Sequence, residues 1–187
     1  MTWTLQAIWI AITASCALVA VTSTNKIPLD SWAAFGIAIW FSGFLIEVVA
    51  DHQKRIFRAD VRNARKFICY GLWSWSRHPN YFGEMMLWLG IAIIAFPVLS
   101  GWQLVTLGSP LFVYYLLTKV SGVEMLERQN DITWGSDPDY WAYKNSTSVL
   151  IPLPKTRASA HSLPSKWIAY IKSRLTTGVH RVPFERC

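Results

Sequence analysis

Two long stretches without a charged side chain constrain this chain more than any other feature. Met1 to Asn25 carries none, and Thr4 to Val21 within it is nearly all apolar. A helix needs about 20 such residues to cross a bilayer. Between Glu84 and Lys119 there is again no charge, over a length too great for one span. Pro97, Ser100 and Gly101 interrupt that stretch, and residues of these types punctuate helices, so it divides into Pro79 to Leu99 and Trp102 to Val120. Trp32 to Ala50, with Glu47 near its end, supplies a further span. In a bilayer the backbone must satisfy its own hydrogen bonds, which selects helices for runs of this length. The expected fold class is all-α: a polytopic membrane helix bundle of about four transmembrane helices. The first run is read as a span rather than a signal peptide, because such a peptide wants a basic region ahead of its apolar run and nothing basic precedes Thr4.

The charges are few and segregated. Lys and Arg number 18 against 11 Asp and Glu, a net charge of +7. Lys54, Arg55, Arg58, Arg62, Arg65, Lys66 and Arg77 lie between the second and third spans, and most of the remainder follow the fourth. Basic loops stay on the cytoplasmic side, so both termini and the central loop are expected there. A basic chain of this kind invites a nucleic-acid reading, but the cluster abuts membrane spans, where lipid headgroups or a phosphorylated cofactor are the natural anions. No nucleic-acid partner is expected. With 52% hydrophobic and 14% aromatic residues, disordered, collagen-like, coiled-coil and disulfide-rich secreted classes are excluded. Cys16, Cys69 and Cys187 lie far apart with no CxxC pair, so no zinc site is argued, no metal is expected, and reduced thiols are the default.

Composition also suggests a domain division at 152. Residues 1–152 form the membrane domain and 153–187 a basic polar tail, in which Trp167, Ile171 and Leu175 recur at four-residue spacing beside Lys166, Lys172 and Arg174. That pattern fits either a short interfacial helix or a disordered tail.

Three groups of residues carry chemistry. Glu47, Asp51, Lys54, Arg55 and Arg58 are successive i,i+4 and i,i+3 neighbours, so on a helix two carboxylates and up to three cations share one face. Lys54 and Arg58 can converge on one anion, and a carboxylate inside a span, as Glu47 is, usually faces the bundle interior. The second group is Trp73, Arg77, His78, Pro79, Asn80, Tyr81 and Glu84. Pro79 suits a first helical turn, which gathers these side chains at a helix start in the interface, a natural anion site. An aromatic belt with basic anchors would use the same residue types. The third group follows span four: Glu124, Glu127 and Arg128, then Asp137, Pro138, Tyr140, Tyr143 and Lys144, then the run Thr147 to Pro152. Tyr140 and Tyr143 are i,i+3 partners on a short helix expected to start near Asp137. They suit stacking on a flat ring, and equally an amphipathic helix resting on the bilayer.

The motifs Glu47-x3-Asp51-x-Gln53-Lys54-x2-Phe57-Arg58, Gly71-Leu72-Trp73-x3-Arg77-His78-Pro79-Asn80-Tyr81-x-Gly83-Glu84, Ser121-Gly122-Val123 and Tyr140-x2-Tyr143-x3-Thr147-x2-Leu150-Ile151-Pro152 resemble, in order, the C-terminal half of the steroid 5-alpha reductase-like membrane proteins, over about residues 32–152. That superfamily contains NADPH-dependent sterol and steroid reductases, and methyltransferases of isoprenylcysteine and phospholipid that use S-adenosylmethionine. The resemblance therefore implies a cytoplasmic cofactor pocket and leaves the cofactor open. NADPH carries a pyrophosphate and a 2′-phosphate that want several cations, which Lys54, Arg58, Arg77 and Arg128 favour, and S-adenosylmethionine is the alternative.

Carried over by motif, the resemblance implies cofactor-binding roles for Lys54, Arg58, Trp73, Arg77, His78, Asn80, Tyr81, Glu84, Arg128, Tyr140 and Tyr143. It further implies a reductase acting on a C=C bond of a lipophilic substrate, in the endoplasmic reticulum membrane of a eukaryote or the inner membrane of a bacterium. The alternatives are a membrane methyltransferase and a shortened non-catalytic member. In the related reductases much of the substrate pocket comes from upstream helices, where this chain has only Thr4 to Val21. Glu47, Asp51 and Tyr81 are then the candidate catalytic proton donors, and a homo-oligomer is one way to complete the cavity. The expected partners are a lipophilic small-molecule substrate and membrane lipids.

Overall fold

A computed structural model describes residues 2–24 and 29–154. They form six α-helices: α1 (Thr2–Thr22), α2 (Ser31–Ala59), α3 (Pro79–Ala95), α4 (Ser109–Tyr115), α5 (Val123–Trp134) and α6 (Pro138–Ser146). There is no strand among the described residues. Four stretches are long and apolar enough to cross a membrane: Trp3–Thr22, Ser31–Ala59, Pro79–Val98 and Gly101–Trp134. The four expected spans are therefore present, and α3 begins at the expected Pro79.

Two spans differ from expectation in instructive ways. The second runs past Ala50 to Ala59, because Asp51 to Arg58 continue the helix as a polar extension. Its start is fixed by Asp30, whose carboxylate accepts the Ala33 N–H at 2.9 Å. The fourth is segmented: a 3-10 stretch (Gly101–Gly108), α4, a π-helical turn (Leu116–Val120) and then α5. Gly101 has φ +54°, a left-handed conformation that glycine adopts without strain. Pro110 sits in the first turn of α4. Gly122 marks the break before α5, where a Cβ would fall 2.0 Å from the Leu117 carbonyl oxygen.

The described residues separate into two compact units, one comprising 2–24, 29–49 and 80–126, the other 50–79 and 127–154. In the first unit α2 and α3 approach backbone to backbone along glycines spaced seven apart. A Cβ on Gly43 would lie 2.6 Å from the Gly83 carbonyl oxygen, and one on Gly90 would lie 2.7 Å from the Trp40 nitrogen. Small residues permit this contact between apolar helices, which draw no hydrophobic gain from meeting in lipid. The Trp32 indole N–H donates to the Ile93 carbonyl at 2.7 Å and ties the far ends of the pair. Helix α1 packs on α4 and the 3-10 stretch, and Cys16, Ala92, Ala95 and Leu99 form a small core against Val19, Ala20 and Leu107. Ser42 and Thr118 return their hydroxyls to carbonyls one turn back, at 2.8 and 2.7 Å, which satisfies them within their own helices. An apolar cavity of about 390 Å³ lies in this unit between Trp32, Leu89, Phe96 and Leu111.

Cys16 is a buried free thiol, in keeping with the expectation of reduced thiols. The tail expected at 153–187 lies, from residue 155 on, outside the described residues, as does the interfacial helix proposed within it.

Candidate functional site

The second unit is built around two tryptophans and a phenylalanine. Trp73 is buried, and its indole N–H donates to the Ala50 carbonyl at 3.0 Å. The turn carrying it is locked by Gln53, whose side-chain oxygen accepts the Leu72 N–H at 3.0 Å. Gly71 beside it has φ +61°, and a Cβ there would lie 2.4 Å from the Gln53 amide nitrogen, so the turn requires glycine for both conformation and space. Phe67 packs on Trp134, Tyr140 and Tyr143, with ring centroids 6.2, 5.5 and 5.4 Å away. The Trp134 indole donates to the carbonyl of Arg65 at 2.9 Å.

The segment before α3 is fastened to the run after α6. The Arg77 N–H donates to the Ser148 carbonyl at 2.9 Å, and the Leu153 N–H to the Trp75 carbonyl at 3.1 Å. Ser76, fully buried, donates its hydroxyl to the Leu150 carbonyl at 2.8 Å and accepts the His78 N–H at 3.1 Å. Two motifs some seventy residues apart are thus one local structure. Helix α6 begins as expected, with Asp137 as its cap accepting the Asp139 N–H and Pro138 in the first turn.

At the centre of this unit a single carboxylate gathers three nitrogen groups. Glu127 Oε2 lies 2.9 Å from Arg77 Nη1 and 3.1 Å from Lys144 Nζ, while His78 Nε2–H donates to Glu127 Oε1 at 2.9 Å. Lys144 also pairs with Asp131, which accepts the Tyr140 hydroxyl at 2.7 Å. The Tyr143 hydroxyl donates to the Trp73 carbonyl at 2.7 Å. All of these side chains are buried or half-buried, and the carboxylates and hydroxyls among them have partners, whereas Arg77 Nε and Nη1 have no aligned acceptor among the described residues. Burial pushes both phenols well above the usual tyrosine range, helped at Tyr140 by its hydrogen bond to Asp131. Both are neutral donors across the physiological range.

Lys54, Arg58, Trp73, Arg77, His78, Arg128, Tyr140 and Tyr143, eight of the eleven expected cofactor residues, belong to this unit. Lys54 lies half-buried, its ammonium 4.8 Å from the centre of the Trp73 ring. Arg58, in the last turn of α2, is exposed, as are Asp51 and Arg128. Arg128 points away from the cluster that its neighbour Glu127 anchors, because adjacent helical residues face different directions. The neighbouring Arg55 donates to His52 Nδ1 at 3.0 Å. Glu47, Asn80, Tyr81 and Glu84 belong to the first unit, all partly buried: Glu47 on α2 beside Gly83, the others in the first two turns of α3. Sequence reasoning grouped Glu127 and Lys144 without giving them a role, and it missed Asp131, Phe67 and Trp134. The i,i+4 spacing of Glu127 and Asp131 on α5 is the signal that marks their shared face.

Residues 1–147 match the family described as "Protein of unknown function (DUF1295)". Among curated proteins the chain is similar to 3-oxo-5-alpha-steroid 4-dehydrogenase 1 of Bos taurus, 34% identical over 43% of this chain and 33% of that protein. The human protein of the same name is 32% identical over 37% of this chain and 29% of its own length. An uncharacterized protein of Schizosaccharomyces pombe is 26% identical over 53% of this chain and 35% of its own. The matched region thus spans about a third of the length of these relatives. No solved structure matches. The four apolar spans and these similarities make the chain a multi-pass integral membrane protein of the steroid 5-alpha reductase-like superfamily, and within it the chain belongs to the DUF1295 family.

Proposed function

We propose that this protein is an integral membrane oxidoreductase that uses NADPH to reduce a C=C bond of a lipophilic substrate of steroid, sterol or enoyl-lipid type. The observation that carries the reading is Lys54 held over the Trp73 ring in the same compact unit as Arg77, His78 and Lys144. A flat aromatic surface beside a set of cations suits a dinucleotide, which offers a ring to stack and phosphates to pair. The similarity to steroid dehydrogenases supports the same cofactor class.

The residues fit such a group on a further count. Arg77 Nε and Nη1 are buried without an aligned acceptor among the described residues, and a buried donor of that kind costs about 1–3 kcal/mol until an acceptor arrives. NADPH, when bound, supplies hydride. Lys54 and the exposed Arg58 one turn on are proposed to read its 2′-phosphate, with Arg77 and His78 directed at the pyrophosphate. Tyr140 and Tyr143 stay protonated and line the aromatic wall with Trp73. Asn80, Tyr81, Glu84 and Arg128 are proposed cofactor contacts by motif alone. Proton delivery to the reduced carbon is proposed for Glu47, Asp51 or Tyr81.

The test is cofactor discrimination. Lys54→Ala and Arg58→Ala are expected to weaken NADPH by tenfold or more and to leave NADH within about twofold, since only NADPH carries the 2′-phosphate. Equal losses for both would remove the phosphate-reading role.

A further inference from the structure

Arg77 and His78 are adjacent in sequence, and neither is placed by its immediate neighbours alone. Both converge on Glu127, which comes from α5 some fifty residues later. The carboxylate uses both oxygens: Oε1 fixes the imidazole, while Oε2 faces the guanidinium and Lys144. Exposure is low throughout the group, with 11% of the Arg77 side chain, 4% of His78, 17% of Lys144 and 15% of Glu127 accessible. Lys144 is shared with Asp131, which also holds Tyr140, so one network connects the guanidinium, the imidazole and the aromatic wall.

The network is incomplete at Arg77. Its Nη1 is close to Glu127 but not directed as a hydrogen bond, and neither Nη1 nor Nε has an aligned acceptor among the described residues. A purely structural buried ion pair is stable only with good geometry and its remaining donors satisfied. Here the carboxylate neutralises and orients the guanidinium without saturating it.

We propose that Glu127 is a positioning residue: it holds Arg77 and His78 together as one anion-binding pair and leaves Arg77 donors for a phosphate oxygen of the ligand. This rests on the NADPH reading above and deepens it. Glu127 touches no phosphate itself, so its effect passes through Arg77.

The experiment is a binding titration of the detergent-purified chain with inorganic pyrophosphate, NADPH and NADH. Wild type, Glu127→Gln, Glu127→Asp, Arg77→Lys and the Arg77→Lys/Glu127→Gln pair are compared. Glu127→Gln is expected to weaken pyrophosphate, NADPH and NADH by the same factor of about ten, the size of one charge-assisted contact, because it does not read the 2′-phosphate. Glu127→Asp is expected to recover part of that loss. In the Arg77→Lys background Glu127→Gln is expected to add little, since two residues acting through one contact are not additive. Where Glu127→Gln does not yield folded protein, Glu127→Asp is read in its place.

Unchanged or tighter pyrophosphate binding in the folded Glu127 variant overturns the proposal, and so does full additivity with Arg77→Lys. If wild type binds pyrophosphate but not NADPH, the cofactor reading fails while the positioning role is still decided on pyrophosphate. If NADPH binds and the Glu127 variant matches wild type, the positioning role fails and the cofactor reading stands. Binding of neither ligand overturns both.

Discussion

The two compact units of this chain are held together by different physics. The unit formed by 2–24, 29–49 and 80–126 is fastened by proximity: glycines of α2 and α3 bring the backbones together, and apolar side chains fill what remains. The unit formed by 50–79 and 127–154 is fastened by partners: Trp73, Tyr140 and Tyr143 each donate to a named acceptor, and Glu127 gathers three nitrogen groups. Volume is the vulnerable quantity in the first and polarity in the second. The proposed anion site falls in the second, where side-chain directions are fixed by hydrogen bonds.

The largest expected effect is on volume. At Gly83 an added Cβ would lie 2.7 Å from the Glu47 nitrogen and 2.7 Å from the Gly43 carbonyl oxygen, both backbone atoms that cannot swing aside. Gly83→Ala is expected to cost about 2–3 kcal/mol, and Gly83→Leu to prevent recovery of a monodisperse protein. Gly108, with nothing within 4 Å of its added Cβ, is the control: Gly108→Ala is expected to be neutral or slightly stabilising. Detergent melting curves check the pair, and a neutral Gly83→Ala would break the comparison.

Polarity comes next. Tyr143→Phe keeps the ring and removes the hydroxyl that donates to the Trp73 carbonyl, leaving that acceptor buried, at an expected cost of about 1–2 kcal/mol. Thr118→Val, whose hydroxyl bonds back to the Tyr114 carbonyl one turn earlier, is expected to change stability by less than about 0.5 kcal/mol.

The tyrosines also set a pH response. Burial raises the pKa of Tyr140 and Tyr143 in the folded chain, so above the unfolded value of about 10 the folded state binds more protons than the unfolded one. Their contribution is complete below that pH and is lost as pH rises further, by up to about 1.4 kcal/mol per pH unit for each phenol. Stability measured from pH 9 to 11 is expected to fall less steeply in Tyr140→Phe than in wild type. The smallest effect belongs to the surface: Arg62, whose side chain is 88% exposed, pairs with Asp60, and Arg62→Ala is expected to leave the melting temperature unchanged.

Most of the membrane architecture was legible because hydropathy and helix length are local properties. The runs from Thr4 and Trp32, the start at Pro79 and the interruption near Gly101 all appear at their expected places. The continuation of α2 through Arg58 was legible too, in the i,i+3 and i,i+4 spacing of Glu47, Asp51, Lys54, Arg55 and Arg58, although the apolar span alone ends near Ala50. The π-helical turn at 116–120 has no mark in the local sequence pattern. In the candidate site Arg77 and His78 stood out by residue type, but their partner Glu127 is joined to them only by the tertiary fold. Conversely, Arg128 drew notice as a cation, and the helix turns it to solvent.

The central claim is that the second unit binds a phosphorylated dinucleotide. The most direct measurement is a thermal-shift titration of the detergent-purified chain with NADPH, NADH and S-adenosylmethionine in parallel, because a ligand that binds only the folded form stabilises it, by about 2.7 kcal/mol at one hundred times its Kd. The account predicts a clear upward shift with NADPH, a smaller one with NADH and none with S-adenosylmethionine. A shift with S-adenosylmethionine alone, or with none of the three, would contradict it.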